Sequence, residues 1–215
     1  MIGKILNQAL PQAQALQAAT LDSGQEDAWV AASQAGDTLA FNRLVLKWEK
    51  AVFNLALRML QDPDEAAEAA QEVFLSAFTN IRRFRKDARF STWVYRIAVN
   101  HCITRLRKKP PGVHLSLEDD KDEMPLADRL ASPVSHEQDL LREESRRRVR
   151  KAMQALPPDQ KAVVELKFFQ DLTFEEISAI CEAPLSTIKS RLYSGLEGLK
   201  LRLGDLSAIG DGGKS

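Results

Sequence analysis

Residues 172–191 read LTFEEISAICEAPLSTIKSR, and this stretch sets the expected fold. Thr173-Phe174-Glu175-Glu176 has the spacing of a capping box, a hydroxyl at the N-cap and a carboxylate three residues on. The short helix it opens ends near Cys181. Beyond Glu182-Ala183-Pro184, a second helix is expected from about Leu185 to Leu203, with apolar positions at 185, 188, 192, 196, 199 and 203. Two helices across a turn of about four residues make a helix-turn-helix pattern. The same spacing also suits two helices that merely pack in a bundle. Ser186, Thr187, Lys189, Ser190, Arg191 and Tyr193 fall on the first two turns of the second helix. In a helix-turn-helix those turns enter the major groove, where cations reach guanine edges or phosphates and hydroxyls reach either.

Upstream, the chain continues to read as helix. A unit starting near Gln138 shows Leu141, Ser145, Val149, Ala152, Met153 and Leu156 on one face, and Pro157-Pro158 breaks it. A helix from Pro158 to about Phe169 follows. In the first half, Phe41, Leu44, Val45, Trp48, Val52, Leu55 and Met59 recur with a period near 3.6. Gly36-Asp37 supplies a stop and a new N-cap before that helix. Asp62-Pro63-Asp64-Glu65 opens the next, with Asp62 as N-cap and Pro63 at the first helical position. Ala66, Ala70, Val73, Ala77 and Ile81 line its inner side. Phe78 is expected in the core. After a loop near 83–91, a further helix runs to about Lys108. No segment alternates with period two, so the expected class is all-α, with two small helical domains.

Residues 80–109 carry the strongest charge pattern. Ten basic residues stand there against one acid, Asp87, a net of +9 in a chain of zero formal charge. Phe84, Phe90, Trp93 and Tyr95 are interleaved with those cations. Cations that track phosphates, beside rings that stack on unpaired bases, suit single-stranded nucleic acid. The plain alternative is a solvated helix face beside ordinary core aromatics. Residues 110–139 reverse the sign, with eight acids and two bases. With Pro110-Pro111-Gly112 at their start and few periodic apolar positions, they read as a linker. The expected organisation is an N-terminal extension at 1–26, a helical domain at 27–109, an acidic linker at 110–136, a helix-turn-helix domain at 137–204 and a tail at 205–215. No fixed orientation between the two domains is expected.

Composition excludes several classes. The 215 residues are 44% hydrophobic, enough for real cores. Cys102 and Cys181 lie in separate segments without CxxC spacing, so neither a disulfide framework nor a zinc site is expected. No stretch approaches a membrane span, and no apolar run suits a signal peptide, so a cytoplasmic protein without membrane insertion is expected. Walker A, GxSxG and HExxH patterns are absent, and His101, His114 and His136 lie in unrelated contexts. No catalytic residue, cofactor or metal is expected.

Together the two halves resemble the extracytoplasmic-function sigma factors, small alternative members of the sigma-70 family of bacterial RNA polymerase. The resemblance covers roughly residues 27–109 and 137–203. Gly36 to Phe41 is similar to the family's GD-x-x-AF start. Asp64 to Phe78 (DEAAEAAQEVFLSAF) looks like its core-docking helix, and Phe90 to Asn100 (FSTWVYRIAVN) like its F-x-T-W-L-Y-R-I-A-x-N signature. Leu172 to Arg191 is similar to its helix-turn-helix.

The resemblance implies a non-enzymatic factor that gives promoter specificity to the polymerase core, meeting its clamp helices and flap. Asp64, Glu65, Glu68, Gln71, Glu72 and Phe74 would meet the clamp, with Glu65 and Glu72 exposed. Arg83, Arg85, Lys86, Arg89, Phe90, Thr92, Trp93, Arg96 and Asn100 would contact the melted −10 element. The six residues from Ser186 to Tyr193 named above would read the duplex −35 element. Partners implied are polymerase core, promoter DNA as duplex and single strand, and an anti-sigma factor. One rival is a sigma mimic that titrates an anti-sigma factor; another is a repressor acting without polymerase. The +9 stretch argues against the first and the acidic helix against the second.

Departures from the family pattern carry physical consequences. Glu182 stands where glycine is frequent, and a positive φ costs glutamate more than glycine. Ser194 and Leu196 replace frequent arginines. Gly195 and Gly198 lower helix propensity by roughly 1 kcal/mol each.

Overall fold

The computed structural model describes residues 23–85, 88–108 and 147–210, the last six as backbone only. Lys86, the acidic linker, Leu141, Ser145 and the N-terminal extension up to residue 22 lie outside the described residues. All the regular structure described is helical, as expected. Helix α1 spans Ser23–Gln34, beginning inside the expected extension. Helix α2 is Thr38–Leu60, α3 is Pro63–Asn80, and a short 3₁₀ turn at Ile81–Arg83 leads through a loop to α4, Phe90–Lys108. Residues 147–154 form α5. Then come α6, Pro158–Phe168; α7, Phe174–Cys181; and α8, Leu185–Gly210.

The helix starts follow from local chemistry. Gly36 takes φ 103°, the left-handed conformation that stops α1. Asp37 then accepts from the Leu39 and Ala40 amides at 2.8 and 3.1 Å, satisfying two free donors of α2. Asp62 accepts from the Glu65 amide at 2.9 Å, and Pro63 sits where the helix needs no N–H. The Thr173–Glu176 capping box is complete in both directions. Glu182 closes α7 at φ 50°, the positive angle foreseen for that position.

In the first half, α2 packs on α1, α3 and α4. Its stripe of Phe41, Leu44, Trp48, Val52, Leu55 and Met59 is buried against Ala66, Val73 and Ala77 of α3 and Val94, Tyr95 and Ala98 of α4. In the second half, Val149, Met153 and Leu156 pack with α6, Ile177 and Ile180 of α7, and Ile188, Leu192 and Leu199 of α8. Leu185, expected on the inner face, is exposed because it starts the helix at the turn.

The halves are not independent of one another. Helix α6 lies between them, touching α2 and α4 on one side and α7 and α8 on the other. Residues 161–166 are all buried, Lys161 and Glu165 included. This differs from the expected absence of a fixed orientation. The cause is the charged face of α6, four residues apart at 161 and 165, which docks on the first half instead of facing solvent.

Gly195 and Gly198 have a packing reason that propensity alone hides. A Cβ at Gly195 would lie 3.0 Å from Val164 Cγ2, and one at Gly198 would lie 3.2 Å from Leu156 Cδ2. Glycine lets α8 approach α6 and the chain before it closely. Val164 is fully buried and β-branched, so it has little room to rotate away. Gly195→Ala should therefore lose stability despite its better propensity: overpacking costs roughly 1–3 kcal/mol against about 1 kcal/mol gained. Thermal melting of the two proteins checks this. A higher midpoint for the alanine variant would show that the helices can move apart freely.

Candidate nucleic-acid interface

The loop that leads into α4 is held from below. Gln34 Nε2 donates to the Ile81 and Phe84 carbonyls at 3.1 and 2.7 Å, anchoring the 3₁₀ turn to α1. Nothing local in the sequence marks Gln34 for this contact, because its partners lie about 50 residues away. Phe84, Phe90 and Trp93 form a ring cluster with centroids 4.9–6.1 Å apart. Phe84 and Phe90 are buried, and so is Thr92. Phe90 and Thr92 therefore support the loop from inside in this arrangement. They do not present free surfaces for a base.

Trp93 is half-buried and faces outward. With Ser76, Asn80, Arg83 and Ile97 it lines a shallow pocket of about 260 Å³. Arg83, Arg85 and Arg89 are exposed around the same loop. An indole wall beside an arginine, with serine and asparagine at the rim, offers stacking, charge and hydrogen bonding together. Those are the groups an unpaired base with its phosphate needs.

Arg96 and Asn100 lie one turn apart on α4, on the side facing the second half. Arg96 donates to the Ala179 carbonyl at 2.8 Å and pairs with Glu182 at 3.0 Å. Asn100 is exposed at a cleft of about 200 Å³ shared with Arg107, Asp159, Cys181 and Arg191. These two residues are thus separated from the Trp93 pocket and directed at the helix-turn-helix.

Helix α8 presents a different surface. Ser186, Lys189, Ser190 and Tyr193 are exposed and recur every three to four residues, so they share one open face. Lys189 Nζ stands 5.7 Å from the Phe174 ring centroid, which holds the cation beside α7. Thr187 and Arg191 are turned partly inward. Arg191 approaches Asp159 at 3.5 Å, and the same carboxylate takes Arg107 at 2.8 Å.

The acids of α3 are less free than their sequence suggests. Asp64, Glu68, Gln71 and Glu72 are exposed, but Glu65 is half-buried, unlike the exposed position expected for it. Helix packing explains the difference: Glu65 neighbours the buried Ala66 and Ala69 on the side facing α4. Arg105 of α4 reaches Glu68 at 3.3 Å and Glu72 at 2.8 Å. Its hydrogen bond holds the Glu72 carboxyl below the usual carboxylate range. Phe74 is half-buried against the core. Phe78 corrects the expectation of a core position. It is 46% exposed, touching Phe41 edge-on at 5.0 Å, and Leu75 beside it is 66% exposed. Asp64, Glu68, Gln71, Leu75 and Phe78 therefore run in one exposed stripe of period 3.5, polar at its start and apolar at its end. Exposed apolar residues in such a row mark a contact surface.

Both thiols are poor nucleophiles. Burial pushes Cys102 up to about 12 and Cys181 up to about 11, so each stays protonated near neutrality. Among the described residues, no helix is long and apolar enough to cross a membrane.

Comparison with known proteins agrees with this geometry. Residues 44–110 match Sigma-70 region 2, and residues 146–199 match Sigma-70, region 4. The chain is 34% identical over 184 residues to the RNA polymerase sigma-H factor of Pseudomonas aeruginosa, covering 83% of this chain and 94% of that protein. It is 35% identical over 173 residues to the ECF RNA polymerase sigma factor SigW of Bacillus subtilis, covering 80% and 92%. With the ECF RNA polymerase sigma-E factor of Escherichia coli K12 the identity is 32% over 170 residues, covering 77% and 87%. Among solved structures, CnrH in complex with the cytosolic domain of CnrY has a TM-score of 0.59 at 17% identity, covering 82% of this chain and 96% of that one. The sigma factor RpoE in complex with the anti-sigma factor NepR, from Bartonella quintana, has a TM-score of 0.53 at 21% identity, covering 76% and 96%. At such identities those two likenesses bear on fold alone. The sequence relatives and both regional matches carry the assignment: this chain belongs to the extracytoplasmic-function group of the sigma-70 family, and it is an alternative sigma factor for transcription initiation.

Proposed function

We propose that the chain docks on polymerase core through α3, traps an unstacked base of the −10 element at the Trp93 pocket, and reads the −35 duplex with the open face of α8. The observation that carries this reading is the pairing of two unlike surfaces on one chain. One is a pocket lined by Trp93 and Arg83, beside a loop whose Arg85 and Arg89 are also exposed. The other is an exposed helix face of hydroxyls and one cation, Ser186, Lys189, Ser190 and Tyr193. Capturing a flipped base offsets an unstacking cost of a few kcal/mol, so melting and recognition proceed together. Arg96 and Asn100 extend the −10 surface along α4, and Lys86 adds charge to its loop. Thr187 and Arg191 complete the −35 surface beside Ser186, Lys189, Ser190 and Tyr193.

Docking on core uses Asp64, Glu68, Gln71 and Glu72 for polar contact, with Glu65 and Phe74 behind them. Leu75 and Phe78 supply the apolar part. The partner surface is the clamp helices, whose side-by-side packing suits a stripe of period 3.5. The second half meets the flap, the acidic linker threads the polymerase near its basic channel, and an anti-sigma factor restrains the chain in the cytoplasm. Run-off transcription with purified core and promoter fragments tests the whole reading. No new transcript would defeat it.

The docking stripe makes a sharper prediction. Leu75→Glu should keep the fold, since the side chain is exposed, and weaken core binding by tenfold or more, the scale of an interface hot spot. Native-gel titration of core checks this. Unchanged affinity with unchanged circular dichroism would remove the apolar stripe from the interface.

The two DNA surfaces should fail differently. Lys189→Ala should relax −35 preference, losing roughly 1–3 kcal/mol if it makes a good base contact. Opening should survive on a pre-melted template. Arg89→Ala should spare duplex −35 binding and impair opening, read by permanganate reactivity of promoter thymines. The same defect in both variants on both templates would refute the division.

A further inference from the structure

One side chain of α1 holds two walls of the Trp93 pocket. The Gln34 amide donates to the Ile81 carbonyl at 3.1 Å and to the Phe84 carbonyl at 2.7 Å. Those carbonyls stand at the start of the 3₁₀ turn and just past its end, and the Phe84 N–H closes the turn on the Ile81 carbonyl at 3.1 Å. Arg83, the cation of the pocket, lies between them in sequence. The Phe84 ring packs against the Trp93 indole with centroids 4.9 Å apart. Pinning the Phe84 backbone therefore fixes the ring on which the indole rests. Pinning the turn fixes where the Arg83 side chain leaves the backbone.

The anchor is itself anchored. Val30 of α1 is buried in the core of the first half. Glu26, two turns before Gln34, accepts from the Trp48 indole N–H of α2 at 3.1 Å and pairs with Lys47 at 2.6 Å. Helix α1 is thus fixed on α2, and its last residue, Gln34, carries that rigidity to the loop.

Two carbonyl oxygens that face one group need a donor with at least two hydrogens. A primary amide or an ammonium meets that need, and a thioether does not. Gln34 is half-buried, so water can replace the amide at both carbonyls when it is removed. A bond that water can replace adds little to overall stability. Its effect falls on the conformation of the turn.

We infer that Gln34 is a positioning residue for −10 recognition: its amide holds the turn from Ile81 to Phe84 in the conformation in which Arg83 and Trp93 line one pocket, and so sets how sharply that pocket distinguishes one base from another. The inference rests on the proposed capture of a base at Trp93. Without the amide the turn samples other conformers, and binding weakens by the fraction of molecules that keep the right one. If about one molecule in ten keeps it, capture of an unstacked base is about tenfold weaker. Core docking through α3 and −35 reading by α8 draw on other residues and stay as they are.

The test uses holoenzyme assembled from purified core polymerase and the full chain. Its probe is a library of bubble templates, built on a promoter that the chain transcribes and randomised through the melted non-template strand. Sequencing of the bound templates gives the base preference at each position. Wild type, Gln34→Met, Gln34→Lys and Trp93→Ala are compared, with core affinity, duplex −35 binding and thermal midpoint measured for each. Gln34→Met keeps a side chain of similar size without a donor, whereas Gln34→Lys keeps hydrogens for both carbonyls. For Gln34→Met the expected result is about tenfold weaker bubble binding and a several-fold loss of base preference at the position that Trp93→Ala also flattens. Core affinity and −35 binding should be unchanged, and the midpoint lower by no more than about 4 °C. Gln34→Lys should restore most of the preference.

A Gln34→Met protein with wild-type preference overturns the inference, as does a Gln34→Lys protein no better than Gln34→Met. Equal losses of core affinity and −35 binding in Gln34→Met would mark a general loss of structure and overturn it too. Trp93→Ala separates the two readings. If it flattens the preference while Gln34→Met does not, only the positioning role falls. If it leaves every preference intact, base capture at this pocket fails, and the inference with it.

Discussion

Glu165 is the buried acid of the described chain, and the arrangement of the two halves turns on how its charge is met. An ionised carboxylate taken from water loses several kcal/mol unless partners replace its hydration. Arg58 at 2.6 Å and the Gln170 amide at 3.4 Å replace part of it, and one Glu165 oxygen is left without a hydrogen-bond partner. Burial drives the Glu165 carboxyl upward while Arg58 opposes the shift. Because Arg58 belongs to the first half and Glu165 to the second, satisfying the carboxylate and docking the halves are one event. The network then passes through Gln170 to Tyr95, whose ring packs edge-on to Trp48 at 5.8 Å. The charge at the interface is thereby tied to the core of the first half.

That constraint explains why α6 misleads a reader of its sequence. Lys161 and Glu165, four residues apart, look like the solvated face of an amphipathic helix. Ala162, Val163, Val164 and Leu166 look like its inner face. In the fold both faces are covered, the apolar one by the helix-turn-helix and the charged one by α2 and α4. Nothing in a periodic pattern tells whether a charged face meets water or a complementary charge from a distant segment, 107 residues away for Arg58.

What was legible was local. The caps at Asp37, Asp62 and Thr173, the left-handed turn at Glu182 and the helical stripes each depend on residues within a turn or two of one another. What escaped was tertiary. Gln34 anchors a loop about 50 residues downstream. Gly195 is small because Val164 comes within 3.0 Å of where its Cβ would be. Phe78 lies in a helix rich in apolar residues, and only packing reveals that it points outward. At the candidate site, Arg83, Arg85 and Arg89 of the loop lie at the surface. Phe90 and Thr92, in the adjoining motif, are buried and support it from beneath.

Under the proposed function, the distribution of open and covered surfaces orders the steps of engagement. Asp64, Glu68, Gln71, Leu75 and Phe78, the outer face of α8 and Asn100 are exposed while the halves are packed, whereas Arg96 is engaged by Ala179 and Glu182. Polymerase core can therefore meet α3 without disturbing Arg58 or Glu165. The second half is attached to the first through ion pairs and hydrogen bonds together with apolar contacts of one continuous core. In that reading, promoter phosphates that attract Arg96 and Arg107 would compete directly with Glu182 and Asp159 for the same guanidinium groups. Exchange of one anionic partner for another lowers the barrier that full exposure of the charges to water would impose. The arginine–carboxylate contacts of the interface are thus matched to a polyanionic ligand in a way that its apolar contacts are not.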